Sequence, residues 1–291
     1  IRRDFSWENI AKIGSDTVED FMKREPWKNR KIKPNEFIVS YLDGPRVEIK
    51  GNDPQEYKIE FINKKTGQNV FTSTIRNGMW TAAGPKYHIP WVIKVNGQVI
   101  DEFNISEKTV LISIESKAIG DTVAWAPYAV ELSKQYGCKV ILSTFHNEWF
   151  EKLESYKDIT FIKPGQSIGC DVVYRIGWFK KDGKWGDTDK NPNQVNLIPL
   201  QQTASDILGL EFKEVKHGLD FKKKGNPRKK EYVVFGPNGT SGCKEWDYNN
   251  WVMLANMIME LGYEVLTLTK NDFFIKGTVN IRNKSFEDVA N

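Results

Sequence analysis

At 291 residues the chain exceeds the roughly 100 to 200 residues of one ordinary domain, so two domains with room for a small third are expected. Hydrophobic residues at 40%, aromatics at 12% and charged residues at 27% describe a globular chain able to bury a core, and exclude disordered or collagen-like classes. The net charge of +4 implies no nucleic-acid partner without a concentrated basic face, and no apolar run approaches the roughly 20 residues of a membrane span.

Residues 1–34 hold Trp7, Phe21 and Trp27 among many charges and no recognisable motif, with one short helix expected around Asp16 to Lys23. The chain opens at Ile1 without an initiator Met or the apolar core of an export signal. These residues are therefore expected to be the remnant of a longer start, and the protein to be cytoplasmic. Residues 35–106 turn to short apolar alternations, which predict strands at Phe37 to Tyr41, Val47 to Ile49, Tyr57 to Ile62, Val70 to Ile75, Trp91 to Val95 and Val99 to Phe103. Turn signals separate them. Asn96-Gly97 reads as a two-residue hairpin because both residues tolerate positive φ. A small antiparallel β domain follows: a structural or homo-oligomerising module, or a carbohydrate-binding face built from Trp80, Tyr87 and Trp91.

Residues 107–221 alternate buried strands with helices, the pattern of a doubly wound α/β unit. Strands are expected at Thr109 to Ile114, Lys139 to Ser143, Thr160 to Ile162 and Val172 to Ile176. Helices are expected at Thr122 to Tyr136, Glu148 to Ser155 and Gln201 to Leu208. Residues 222–230, KKKGNPRKK, interrupt this with charge, Gly and Pro as a solvated linker does, and no aromatic interleaves them as in a nucleic-acid patch. Residues 231–291 begin a second unit with strand Tyr232 to Phe235, helix Tyr248 to Leu261 and strand Glu264 to Leu268. Trp251, Leu254, Ala255, Ile258 and Met259 recur at helical spacing there, as a core stripe.

Two strand-to-helix loops concentrate polar chemistry, and ligands of open α/β sheets bind at such loops. The first, Ser116 to Thr122, places Asp121 at a helix start, either as a helix cap or as a catalytic base. The second, Gly236 to Trp246, offers glycines, the Thr240 and Ser241 hydroxyls and the Lys244 ammonium to a phosphate, without the residue order of a P-loop; a generic polar loop is the other reading. Asp187-Thr188-Asp189 is a literal D-x-D, but it lies in a polar loop and reads as accidental rather than as a cation site on a nucleotide diphosphate. His88, His146 and His217 are isolated and read as surface or hydrogen-bonded residues. Cys138, Cys170 and Cys243 are too widely spaced for a disulfide framework or a zinc ribbon and suit a reducing compartment.

Ile119-Gly120-Asp121-Thr122 with Pro127, followed in order by Lys244-Glu245-Trp246 after a Gly/Ser/Thr-rich loop, resembles the paired motifs of the ADP-heptose glycosyltransferases, glycosyltransferase family nine. KVILSTFHNEWF (Lys139 to Phe150), IPLQQTASDILGL (Ile198 to Leu210) and GTSGCKEW (Gly239 to Trp246) resemble the bacterial autotransporter heptosyltransferases more closely. The resemblance runs from about Val110 to the end. It implies an α/β GT-B fold of twin Rossmann-like domains, here preceded by the small antiparallel β domain. It also implies inverting transfer of a heptose or related sugar from an ADP-sugar donor to a hydroxyl of a protein serine or a glycan, without cofactor or metal.

In that scheme Asp121 is the catalytic base, Lys244 neutralises the leaving diphosphate, Thr240 and Ser241 bond its oxygens, and Gly120 and Thr122 are further substrate contacts. The family's later nucleotide-binding segment, and any iron-binding cysteine cluster of the autotransporter relatives, would lie beyond Asn291. The second domain is therefore expected to be unfinished and this chain alone inactive. The alternative is a non-catalytic carbohydrate-binding or assembly module on a degenerate transferase scaffold. Donor turnover discriminates the two.

Overall fold

A computed structural model describes residues 33–219, 228–239, 242–269 and 273–282, and the chain divides into two compact units, Ile1–Gly218 and Leu219–Asn291. The expected helix at Asp16 to Lys23, most of the 222–230 linker and the site residues Thr240 and Ser241 lie outside the described residues.

The first unit opens with seven antiparallel strands: β1 (Glu36–Ser40), β2 (Arg46–Lys50), β3 (Glu56–Asn63), β4 (Asn69–Arg76), β5 (Trp80–Ala82), β6 (Trp91–Val95) and β7 (Gln98–Glu102). They form one sheet in the order β1-β2-β5 and another in the order β4-β3-β6-β7. Alternation drives Val47 and Ile49 of β2 and Ile59 and Phe61 of β3 fully inward. The Phe37 and Tyr57 rings meet edge to face at 5.0 Å, joining the two sheets. At the β6–β7 turn Asn96 has φ 49° and Gly97 φ 81°, the two positive values of a type I′ hairpin. The trio Trp80, Tyr87 and Trp91 forms no common carbohydrate-binding face. Trp91 is buried because β6 is a central strand, whereas Trp80 is exposed with the Arg46 guanidinium 4.5 Å over its ring.

The chain then enters β8 (Thr109–Ile114), helices α1 (Ile119–Trp125) and α2 (Pro127–Tyr136), β9 (Lys139–Ser143), β10 (Ile159–Ile162), β11 (Val172–Ile176), the short hairpin β12 (Lys180–Lys181) and β13 (Lys184–Trp185), and α3 (Leu200–Leu208). The helix expected over Thr122 to Tyr136 is interrupted at Ala126, because Pro127 has no N–H to continue the ladder and opens a new helix at its first position. No α-helix forms over Glu148 to Ser155. The chain makes 3-10 turns at Asn147–Trp149 and Glu154–Tyr156 instead. Asn147 Oδ1 accepts from Thr144 N and Oγ1, both at 2.9 Å, while its Nδ2 donates to Ile162 O at 2.7 Å, tying this connection to the ends of β9 and β10.

All four main strands of this sheet are parallel and their order is β10-β9-β8-β11. The chain thus leaves β8 toward β9 on one side and returns on the other side as β11. The loops after β8 and β11 flank the point where the winding reverses, where open α/β sheets bind ligands. The antiparallel strands are bound to this sheet. Tyr41 bridges Val172, Val173 N donates to Leu42 O at 3.0 Å, and His88 N donates to Ile207 O at 2.8 Å.

In the second unit β14 (Tyr232–Phe235), β15 (Glu264–Thr269) and β16 (Val279–Arg282) make a parallel sheet in the order β14-β15-β16, with helix α4 (Tyr248–Glu260) between β14 and β15 in the chain. Phe235, Ala255, Val265 and Ile275 form its core, against which Trp251, Leu254, Ile258 and Met259 of the helical stripe pack. Strand β16 was absent from the sequence expectation; its four residues are too few to carry a readable period.

Candidate functional site

The β8 strand runs one ladder rung further than its last residue. Glu115 N donates to Ile176 O at 2.9 Å, and its carboxylate takes Arg175 Nη1 at 3.3 Å and Ser113 Oγ at 2.9 Å. The next residue turns the chain. Ser116 Oγ accepts from Ala118 N at 3.1 Å and donates to Asp121 Oδ2 at 2.6 Å. Ala118 is the N-cap of α1, so Asp121 stands in the first helical turn and is not the capping residue. Among the described residues the one hydrogen bond to its carboxylate is that from Ser116. Gly120 is exposed, and a Cβ there would meet no atom within 4 Å, leaving open space over the helix start. Thr122 points the other way. It is fully buried and its hydroxyl donates to Ala118 O at 3.3 Å, a bond that holds the first turn instead of facing a substrate.

Neighbouring loops build a rim of aromatic and charged groups. After β9, His146 Nε2 lies 3.2 Å from Lys117 O, its ring stacks on Trp149 at 4.1 Å, and Lys117 Nζ sits 5.2 Å from the centre of the exposed Phe145 ring. After β11, the exposed Trp178 and Trp185 meet edge to face at 6.2 Å, and Trp178 Nε1 donates to Thr203 Oγ1 on α3 at 3.2 Å. A separate cavity of about 340 Å³ is walled by Glu115, Arg175, Phe179, Lys86 and Lys190. Ser116 and this rim were not among the candidate residues read from the sequence. The aromatic run Phe145 to Phe150 carried the signal, but its proximity to Lys117 depends on sheet order.

The D-x-D triplet is committed to loop structure. Asp187 is buried and accepts from Asp189 N at 3.1 Å, while Asp189 pairs with Lys181 at 2.9 Å. His88 is the hydrogen-bonded kind of histidine, and it is partly buried. Its Nδ1 lies 3.1 Å from the Tyr174 hydroxyl, and burial pushes its pKa down to about 4.

In the second unit β14 opens into Gly236 to Gly239 and then the 3-10 turn Gly242–Lys244, which leaves Lys244 exposed ahead of α4. Asp247 caps that helix by accepting from Asn249 N at 2.9 Å. Asn238 Oδ1 accepts from Thr269 Oγ1 at 2.6 Å, tying the loop after β14 to the end of β15. Trp246 packs edge-on to Trp251 at 5.3 Å, anchoring the segment behind Lys244 to the helix.

Among the described residues no group of three or more His, Cys, Asp or Glu side chains is placed to hold a metal. Burial pushes the Cys138 and Cys170 thiols up, away from the thiolate form that ligates metals, and Cys243 is exposed in the other unit.

No protein-family model matches the chain. Its relatives are autotransporter heptosyltransferases, in accord with the motifs. It is 24% identical to autotransporter heptosyltransferase BAHTCr of Citrobacter rodentium, over 84% of this chain and 60% of that protein. To autotransporter heptosyltransferase Aah of Escherichia coli it is 26% identical, over 74% and 56%. A further relative, 23% identical over 78% of this chain and 53% of its own, is the inactive autotransporter heptosyltransferase BimC of Burkholderia thailandensis. The chain thus spans 60% or less of these proteins.

Among solved structures, TibC from enterotoxigenic Escherichia coli H10407, described as an iron-containing dodecameric glycosyltransferase, superposes with a TM-score of 0.73 at 20% identity. The match covers 89% of this chain and 70% of TibC. TibC has also been solved with ADP-D-beta-D-heptose. The fold is therefore that of TibC, a mixed α/β architecture with parallel and antiparallel sheets. Among the described residues no group of His, Cys, Asp or Glu forms a site for an iron such as TibC contains.

Proposed function

We propose that this chain is the acceptor-binding part and the beginning of the donor-binding part of an inverting heptosyltransferase with GT-B architecture. The boundaries proposed are residues 35–106, 107–221 and 231–291, joined by the 222–230 linker. The donor is an ADP-heptose or related ADP-sugar. The acceptor is a protein hydroxyl, in keeping with the autotransporter substrates in the relatives' names. A homo-oligomer is proposed by analogy with dodecameric TibC.

The observation that carries this reading is Asp121, with a carboxylate oxygen unengaged by any described residue, at the winding reversal of the parallel sheet. Asp121 removes the proton of the attacking hydroxyl as that oxygen bonds to the anomeric carbon. The bond from that carbon to the diphosphate breaks through an oxocarbenium-like state, with inversion, and the electron pair leaves on ADP. Lys244 neutralises the charge growing on the diphosphate, while Thr240 and Ser241 hydrogen-bond its oxygens. Gly120 leaves room for the acceptor. Thr122, with its hydroxyl bonded inward, contributes by holding the helix start.

A second reading is favoured by the inactive relative: the scaffold of a transferase kept for binding or assembly. Asp121→Asn in the intact protein separates the two, scored as ADP released from ADP-heptose with a serine-rich peptide acceptor. A loss of roughly 100- to 10,000-fold with folding intact is expected of a positioned base. Near-normal release would remove Asp121 from the chemistry, and no release by the wild type would favour the binding module.

A further inference from the structure

We propose that Ser116 is the positioning residue of Asp121: its hydroxyl occupies one carboxylate oxygen and aims the other at the acceptor hydroxyl. This deepens the reading above and rests on Asp121 being the base. The donor and acceptor roles follow from the loop geometry. Ala118 N–H donates to Ser116 Oγ at 3.1 Å and so uses an oxygen lone pair. The hydroxyl hydrogen is then available for Asp121 Oδ2 at 2.6 Å, and an ionised carboxylate can only accept it. Oδ1 accepts from no described residue and is the oxygen left for the substrate.

The strand side of this contact is tied into the parallel sheet. Ser116 follows directly on Glu115, whose N–H bonds Ile176 O and whose carboxylate is held by Arg175 and Ser113. The alignment of Asp121 is thereby referred to the β8–β11 ladder and not only to the seven-residue helix on which it sits. A partly exposed carboxylate otherwise distributes among rotamers. A charge-assisted O–H···O⁻ bond of this length selects one of them. Selection matters because a misplacement of about 1 Å at a reacting group costs on the order of 100-fold in rate.

The test uses the intact protein with ADP-heptose and a serine-rich peptide, comparing wild type, Asp121→Asn, Ser116→Ala, Ser116→Thr and the Asp121→Asn/Ser116→Ala double variant. Ser116→Ala is expected to lower kcat roughly 10- to 100-fold with the donor KM changed by less than about twofold. Ser116→Thr, which keeps the hydroxyl, is expected to recover most of that loss. In the Asp121→Asn background the added alanine is expected to change the rate by less than about twofold, because the partner it acts through is gone.

Thermal unfolding accompanies each variant. Where Ser116→Ala melts early, recovery by threonine and the double-variant comparison decide. Wild-type turnover in Ser116→Ala beside a crippled Asp121→Asn overturns the positioning role and leaves the base intact. An equal loss from Ser116→Ala in both backgrounds also overturns it, since the serine then acts independently of Asp121. Normal turnover in Asp121→Asn overturns the base assignment itself.

Discussion

His88 of the antiparallel region and Tyr174 of β11 share a hydrogen bond, Nδ1 to hydroxyl oxygen, at 3.1 Å. The imidazole is enclosed by the rings of Phe103, Tyr136 and Tyr174, at centroid distances of 5.8, 5.4 and 6.1 Å. Gly209 closes the site: a Cβ there would stand 2.3 Å from the imidazole, and the residue holds φ +68°, which disfavours any side chain. The contact joins the antiparallel strands to the sheet that carries Asp121. Burial also raises the Tyr174 hydroxyl pKa, so the pair is neutral through the ordinary pH range.

Stability is expected to depend on this histidine on the acid side. Its folded pKa of about 4 lies below the roughly 6.5 of an unfolded histidine, so the unfolded chain binds the extra proton between those values. The contribution is fully present above about pH 6.5 and falls as pH drops toward 4, integrating to roughly 3 kcal/mol. Urea unfolding at pH 4.5 and 7 should show this loss in the wild type and a smaller one in His88→Gln. The same pH dependence in both proteins would mean that His88 titrates normally.

Gly120→Ala should separate stability from activity. The new Cβ meets nothing within 4 Å and sits in a helical turn, where alanine is favoured over glycine by roughly 0.5–1 kcal/mol. The melting temperature should hold or rise while the acceptor KM increases. An unchanged acceptor KM would show that the acceptor passes elsewhere.

Lys244 is exposed on its turn, so Lys244→Ala should leave stability within about 0.5 kcal/mol. If it neutralises the leaving diphosphate, the donor KM should rise and kcat fall by on the order of 100-fold. Isothermal titration with ADP and a turnover assay read the two effects separately. Normal values in both would remove Lys244 from the donor site.

Asp187 and Asp189 should behave unequally. Removing the buried Asp187 carboxylate strips Asp189 N of its acceptor and should cost about 1–3 kcal/mol, whereas Asp189→Ala loses a surface pair with Lys181 worth less than about 1 kcal/mol. Thermal melts and donor KM measure this. Equal losses of turnover without destabilisation would instead make the two carboxylates joint ligands of a cation.

Apart from β16, the main strands of the parallel sheets were legible because short β-branched runs such as Val172–Ile176 and Tyr232–Phe235 are local signals, bounded by turn residues. The Asn96-Gly97 hairpin was legible for the same reason: its positive φ values are a property of those two residues. Asp121 and the Lys244 loop could be singled out because a polar residue at a strand-to-helix junction is visible in sequence order.

What surrounds those residues was settled only in three dimensions. The Glu148 to Ser155 stretch has helical composition, yet Asn147 binds the ends of two strands and prevents the helix. His88 reads as an isolated histidine until residue 174, 86 positions later, is brought to it. Ser116 reads as one more polar loop residue, since its value lies in a side-chain angle that no periodicity encodes. Local propensity is a sum over neighbours in the chain. The order β10-β9-β8-β11, which sets the loops after β8 and β11 side by side around Asp121, comes from burying whole sheet faces at once.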